Sequence, residues 1–526
     1  MNPDRMEEPQ VCRLSDARKA LEPCSMVIFG ASGDLTFRKL IPALYHDFKE
    51  KLLPTEFRVV GFARREKTTE SWRAELRQAL EQFSRTKPVD EEVWAAFARH
   101  LFYCQGDLAD PVAYARLEQR LSAPGNPALR CNLVCYLAIP PSQFGLAAEH
   151  LHRAGLLQRN DPPHGAPGGW QRLVVEKPFG HNLASAHALN RDLTRFAAER
   201  QIFRIDHYLG KETVQNILMF RFSNAIFERL WHRDAVDHVQ LTVSEAHGVD
   251  QRGGYYEEAG ALRDMVQNHL LQVLSLMAME PPVSLDAEAI RDEKVKLLRS
   301  IRLFSPEDVA RHVVRGQYLA GTLHGVPQPA YRQEPRVKPD SNVETYVALK
   351  LFIDNWRWSG VPFFLRTGKA LPRSASEVRI QFRRTPHVLF AAQCGPKLDP
   401  NSLTLRLQPN EGIILHFNGK VPGTTIAVRP VRMHFSYDAE FGAYTPEAYE
   451  RLLLEAIAGD ATLFIRRDEV EIAWQIADSI RAGWQDKPLS NREFYAAGTW
   501  GPVAADDLLA QTGHAWREPM VIKPSS

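Results

Sequence analysis

The chain has 526 residues, with 65 Lys+Arg against 63 Asp+Glu and a net charge of +2. So even a balance argues against a surface built to hold nucleic acid or an anionic membrane, and leaves any phosphate to a local site. The length suits two or more domains around a large core, and no apolar run is long enough to cross a bilayer.

Residues 1–24 read as a loose arm. Its acidic start, Met1-Asn2-Pro3-Asp4-Arg5-Met6-Glu7-Glu8, has no apolar stretch of a signal or transit peptide. The apolar run 25–30 ends in glycine and predicts a buried parallel strand. A helical stripe follows, carried by Phe37, Leu40, Ile41, Leu44, Tyr45 and Phe48. Further strands are expected at 57–63, 101–104, 133–138, 173–175 and 202–205. Helical stretches fall between them, including Trp72/Leu76/Leu80 and Val93/Trp94/Phe97. This alternation predicts a doubly wound parallel sheet of Rossmann-like type over 25–205. The Pro- and Gly-rich stretch 160–169 reads as a surface loop.

After about residue 221 the pattern changes. Stretches 236–243, 343–354, 377–383, 402–407 and 412–417 alternate like half-buried strands, and long helices are expected at 258–279 and 447–458. We read 206–526 as an α+β domain with a large, mainly antiparallel sheet. The six cysteines (Cys12, Cys24, Cys104, Cys131, Cys135, Cys394) form no CxxC pair and several lie in apolar strand-like runs. They read as buried, reduced thiols of a cytoplasmic protein.

Four stretches carry chemistry. The first joins strand to helix as Gly30-Ala31-Ser32-Gly33-Asp34-Leu35, where backbone amides and a helix start can cradle a pyrophosphate. The glycine fingerprint is incomplete, with Ile28 in its first position, and a tight turn without ligand would use the same glycines. The end of the second strand bears Arg64 and Arg65 where NAD sites carry an acid, so a 2′-phosphate and NADP are preferred; two surface arginines also fit. The third stretch is Arg204-Ile205-Asp206-His207-Tyr208-Leu209-Gly210-Lys211-Glu212. A helix capped by Asp206 would set His207 and Lys211 on one face with Tyr208 beside them, a site for a phosphate ester. An ordinary capped helix fits as well. The fourth is the helix 258–279, whose stripe Leu262, Met265, Val266, His269, Val273 and Met277 buries His269. A satisfied core histidine fits this pattern, but oriented by a carboxylate such as Asp206, a buried imidazole is also what a general base needs. Lys177, after the strand at 173–175, Lys369 beside Gly368, and Glu245 at a strand end are candidate ligand contacts.

Together these stretches resemble the glucose-6-phosphate dehydrogenase family. The resemblance rests on Gly-Ala-Ser-Gly-Asp-Leu at 30–35, Glu-Lys-Pro-Phe-Gly at 176–180, the nine residues 204–212, Arg-Gly-Gly-Tyr-Tyr at 252–256, Arg-Asp-Met-Val-Gln-Asn-His-Leu at 263–270 and Leu-Arg-Thr-Gly-Lys-Ala-Leu at 365–371. It implies oxidation of β-D-glucose 6-phosphate to 6-phosphoglucono-δ-lactone with reduction of NADP. It implies His269 as base and Asp206 as its orienting carboxylate. His207, Tyr208, Lys211 and Lys369 would hold the sugar phosphate, and Glu245 and Asp264 its hydroxyls. Lys177 would touch both substrate and coenzyme, with Gly30, Ser32, Gly33, Asp34, Leu35 and Arg64 around the coenzyme. A homodimer or homotetramer is expected. The alternatives are a broader hexose-6-phosphate dehydrogenase and a catalytically silent NADP-binding regulator.

Overall fold

The computed structural model describes residues 21–122, 125–159, 169–385, 399–424, 427–442, 446–485 and 487–520. The expected loop at 160–169 (except Gly169), Cys12, Cys394 and most of the N-terminal arm lie outside them. Two compact units divide the chain. The first comprises 1–175, 194–203 and 453–460; the second comprises 176–193, 204–452 and 461–526. Neither is one continuous stretch, so the division is not a single cut at 205/206.

The first unit is built on strands β1 (Cys24–Phe29), β2 (Phe57–Ala63), β3 (Leu101–Gln105), β4 (Leu133–Leu137) and β5 (Gln171–Val175). They pair in parallel in the order β3-β2-β1-β4-β5. β6 (Ile202–Ile205), whose first two residues belong to this unit, follows β5 in the order. β1 and β4 are buried along their whole length, as parallel strands covered on both faces must be. Because Phe29 pairs with Phe62, the carboxyl ends of β1 and β2 lie side by side. The residues that follow them, Gly30 and Arg64, therefore issue from one edge of the sheet.

The second unit holds a nine-stranded sheet. Its strands are β7 (Val236–Ser244), β8 (Val313–Leu319), β11 (Tyr346–Leu351), β12 (Phe363–Gly368), β13 (Ala375–Phe382), β14 (Ser402–Gln408), β15 (Gly412–Lys420), β16 (Val428–Ser436) and β18 (Phe494–Ala496). The order is β16-β15-β14-β13-β7-β12-β11-β8-β18. The short strands β9 (Gly321–Leu323) and β10 (Val326–Gln328) form a separate hairpin. β17 (Phe464–Ile465) pairs antiparallel with the end of β6. Pairing is antiparallel as expected, apart from β7 with β12 and β8 with β18, which run parallel.

Two expected helices differ from the sequence reading. The segment 258–279 is not one α-helix: a break at Gly260 (φ 64°) separates Gly253–Ala261 from a π-helix, Leu262–Leu270, and then an α-helix, Leu271–Ala278. The π-turn is buried at every position except Arg263, so no apolar stripe distinguishes His269. The helix expected to begin at Asp206 is Glu212–Phe222, with Lys211 at its N-cap. Asp206 caps a turn instead: its Oδ1 accepts the Tyr208 N–H at 2.9 Å, and its carbonyl accepts the Leu209 N–H at 3.0 Å. Satisfying these local donors holds the backbone out of the helix. No described helix is long and apolar enough to cross a membrane.

Candidate active site

The site is best built outward from His269. Its Nδ1–H donates to Asp206 Oδ1 at 2.5 Å, and both side chains are only 1 % exposed. With the ring proton committed to Asp206, Nε2 carries a lone pair, and the Lys177 ammonium donates to it at 2.9 Å. Lys177 also donates to Asp264 Oδ1 at 3.1 Å and to the Asp264 carbonyl at 3.2 Å. The Tyr255 hydroxyl donates to the same Asp264 oxygen at 2.9 Å. Asp206, His269, Lys177 and Asp264 thus form one polar line.

The π-turn explains how Asp264 and His269 share a partner. Residues five apart on an α-helix point about 140° away from each other. A turn closed by i→i+5 hydrogen bonds brings them to one side. Lys177 Nζ reaches both.

The local field favours this ionisation pattern. Burial would raise the Asp206 carboxyl, but the His269 ring and its hydrogen bond outweigh it and hold it far below the usual range. Burial would likewise raise Asp264; Lys177 and then Lys369 pull it far below. Burial, helped by the Lys177 cation, keeps His269 below the usual histidine range despite Asp206. At neutral pH the ring is therefore a neutral base.

His207, Tyr208 and Lys211 gather beside it. The Tyr208 ring stacks on His269 at 4.3 Å and 21°, and His207 meets His269 edge-on at 4.6 Å. Lys211 Nζ lies 3.8 Å from the Tyr208 ring centroid and also donates to Gln408 Oε1. Burial lowers Lys211 to about 8. It also holds His207 well below its usual value, with the His269 ring adding to the effect.

Glu245 and Lys369 form a second pair, with 2.6 Å between Lys369 Nζ and Glu245 Oε2. Register causes it: Ser244 at the end of β7 pairs with Gly368 at the end of β12 in parallel, so the next residue of each strand meets the other. Burial opposes ionisation of Glu245, but His247 and Lys369 bring it down to about 2.

The expected coenzyme residues belong to the first unit. Gly30 adopts φ +85°, and a Cβ there would come within 2.2 Å of the Ala138 carbonyl oxygen, so only glycine fits. Gly33 N–H donates to the Gly30 carbonyl at 2.8 Å, closing the turn ahead of the short π-helix Thr36–Leu40. Ser32 and Leu35 are half-buried, while Asp34 is exposed and 3.7 Å from Arg38. Arg64 is exposed at the end of β2 and makes no ion pair among the described residues. This tight turn at a strand end fits the pyrophosphate of a nicotinamide dinucleotide.

Sequence reasoning missed Tyr255, His247, Gln408 and the Lys177–His269 contact. Only Tyr255 lay in a quoted motif, at 252–256; the other partners are set by tertiary structure.

Among the described residues, two groups of side chains have the spacing of metal ligands: Asp206/His207/His269 and Asp237/His238/His514. In the first, both His269 nitrogens are committed to Asp206 and Lys177. In the second, Gln240 accepts the Arg517 N–H at 2.9 Å and turns its amide nitrogen to His238 Nε2 at 3.1 Å. That fixes the His238 proton on Nδ1, which serves Asp237 at 2.7 Å.

Comparison with known proteins gives the family. Residues 27–216 match the model of the glucose-6-phosphate dehydrogenase NAD-binding domain, and residues 218–517 that of its C-terminal domain. The chain is 47% identical over 500 residues to a glucose-6-phosphate 1-dehydrogenase of Aggregatibacter actinomycetemcomitans, covering 95% of this chain and 98% of that one. It is 46% identical over 498 residues to the Chlamydia pneumoniae enzyme of that name, covering 94% and 96%. A solved glucose-6-phosphate dehydrogenase in complex with glucose 6-phosphate superposes with a TM-score of 0.84 at 33% identity, covering 96% of this chain and all of the other. The chain belongs to the glucose-6-phosphate dehydrogenase family.

Proposed function

We propose that the chain oxidises β-D-glucose 6-phosphate at C1 to 6-phosphoglucono-δ-lactone, the first step of the oxidative pentose phosphate pathway, with NADP as the hydride acceptor. The observation that carries the mechanism is the line Asp206–His269–Lys177. His269 Nε2 takes the C1 hydroxyl proton, the O–H electrons form the lactone C=O, and hydride leaves C1 with its electron pair. The proton stays on Nε2, and Asp206 steadies the imidazolium through Nδ1–H. Lys177 already occupies Nε2, so it must yield that lone pair to the hydroxyl while its charge stays beside the reacting oxygen.

His207, Tyr208, Lys211 and Lys369 hold the phosphate in this reading. The lowered pKa of Lys211 supports it, because a buried ammonium gains most from a dianion. Glu245 and Asp264, both ionised, accept sugar hydroxyls. Gly30, Ser32, Gly33, Asp34 and Leu35 surround the coenzyme phosphates, Lys177 also touches the coenzyme, and Arg64 holds the 2′-phosphate. The bound coenzyme would supply the nicotinamide ring that accepts hydride. The same reading carries a cytoplasmic homodimer or homotetramer. The exposed outer strand β16, with Met433 61 % exposed, supports an oligomer, and sedimentation would measure its size.

The test is absorbance of reduced nicotinamide with glucose 6-phosphate, in parallel with NADP and NAD. Rapid reduction of NADP is expected, and His269→Asn should lower kcat by about 10²–10⁴-fold, the usual worth of a general base. Undiminished turnover in that variant would remove His269 from the mechanism.

A further inference from the structure

We infer that Glu344 is a positioning residue for the proton-transfer pair: it sets where the π-turn Leu262–Leu270 begins, and so where Asp264 and His269 stand. The inference rests on the reading of His269 as the base.

The chain breaks out of helical geometry at Gly260, with φ 64° and ψ 170°. The next two backbone N–H groups would be orphans at a helix start. Both go to Glu344: Ala261 N–H donates to its carbonyl at 2.9 Å, and Leu262 N–H to its Oε1 at 3.0 Å. The carboxylate lies against the Gly260 Cα, where an added Cβ would be 2.4 Å from Oε1. The break, the first residue of the π-turn and the carboxylate therefore fix one another.

Glu344 in turn is anchored to the rest of the site. The neighbouring Thr345 accepts the Lys369 N–H at 2.9 Å through its carbonyl and donates its own N–H to Gly316 at 2.7 Å. The Tyr495 hydroxyl donates to the Lys369 carbonyl at 2.7 Å. Tyr346, the first residue of β11, pairs with Gly368. Two adjacent residues thus hold the two halves of the site, Glu344 the turn bearing His269 and Thr345 the backbone of Lys369. Sheet register passes to the π-turn through one residue, by its carbonyl and its carboxylate. A one-residue slip of that turn would swing His269 by roughly a quarter-turn, off Asp206 and Lys177 together.

The experiment compares Glu344→Gln, Glu344→Asp and Glu344→Ala in the full chain. Gln keeps an acceptor oxygen at the same reach, Asp is one methylene short, and Ala has none. Asp and Ala should lower kcat by roughly 10- to 100-fold, the cost of a small misplacement. KM for glucose 6-phosphate should rise as well, because Asp264 moves on the same turn, and Gln should keep both kcat and KM within about threefold of the parent. A second readout does not depend on turnover. The short His269–Asp206 bond should give a strongly deshielded proton resonance, identified by its loss in His269→Asn. It should persist in Gln and shift or vanish in Asp and Ala. Parental kcat and resonance in folded Asp and Ala variants would overturn the inference. So would a Gln variant as impaired as Ala, since charge rather than an acceptor would then be required. If Glu344→Ala does not fold, the contrast of Asp with Gln decides alone. If His269→Asn retained turnover the base assignment would fall, while the resonance would still report whether Glu344 sets the pair.

Discussion

At the scale of single residues, the chemistry turns on what competes for His269 Nε2. Lys177 donates to it in the structure and lowers its proton affinity, second only to burial, while Asp206 acts the other way. On the proposed mechanism the ring is therefore neutral at ordinary pH, and on the acid side activity falls where it gains a proton. The sign is definite. A histidine held below its ordinary value of about 6.5 puts the acid limb of kcat/KM below that pH. Lys177→Met removes a cation, so the limb should move up in pH while kcat falls. A pH–rate profile of the two proteins checks both, and a limb that stays or moves down would contradict the arrangement. Asp206 and His269 were legible as residues because each sits in a distinctive motif. That Lys177 reaches His269 across 92 positions was not, since a parallel strand end and a distant buried helix carry no local mark of one another.

At the scale of elements, the sequence reading failed wherever tertiary or local hydrogen bonding overrode periodicity. The turn at 206–211 carries a good cap residue and an apolar run after it, the usual signature of a helix start. Yet Asp206 spends its oxygen on the Tyr208 N–H, and the helix begins six residues later. The π-turn is invisible to an apolar stripe because almost every residue in it is buried. The helices Ala287–Arg299 and Arg467–Trp484 went unread, in part because buried charges interrupt their apolar faces. Lys294 and Glu469, one from each, meet at 2.7 Å with side chains 1 % and 0 % exposed. Burying such a pair adds little net stability, whereas breaking it strands a charge. Lys294→Met should therefore destabilise the chain by about 3–5 kcal/mol, and adding Glu469→Gln should recover part of that loss. Thermal unfolding of the single and double variants measures it; a double variant no more stable than the single would show that the stranded charge is not the cause.

At the scale of the whole molecule, both sheets present their site residues at strand ends, and this is why so much was readable. The five parallel strands of the first unit were marked by continuous apolar runs, and all begin and end within two residues of expectation. In the second unit the expected half-buried alternation is not seen, since β7, β11 and β14 are buried almost throughout, and the parallel pairing of β7 with β12 joins stretches more than a hundred residues apart. No local pattern announces it, and that pairing brings Glu245 to Lys369. The first unit, by contrast, exposes its logic in sequence: β1 and β2 are neighbours, so Gly30 and Arg64 share an edge, and the coenzyme question reduces to one guanidinium. A charge-assisted bond to a 2′-phosphate contributes about 1.5–3 kcal/mol. Arg64→Ala should therefore raise KM for NADP by roughly 10- to 100-fold. KM for NAD, which has a hydroxyl there, should move by less than about threefold. Neither value depends on the proton-transfer groups, so kcat with saturating coenzyme should hold. Equal losses with both coenzymes would mean that Arg64 supports the fold of the strand end, and no loss with either would return it to the surface arginines that end many strands.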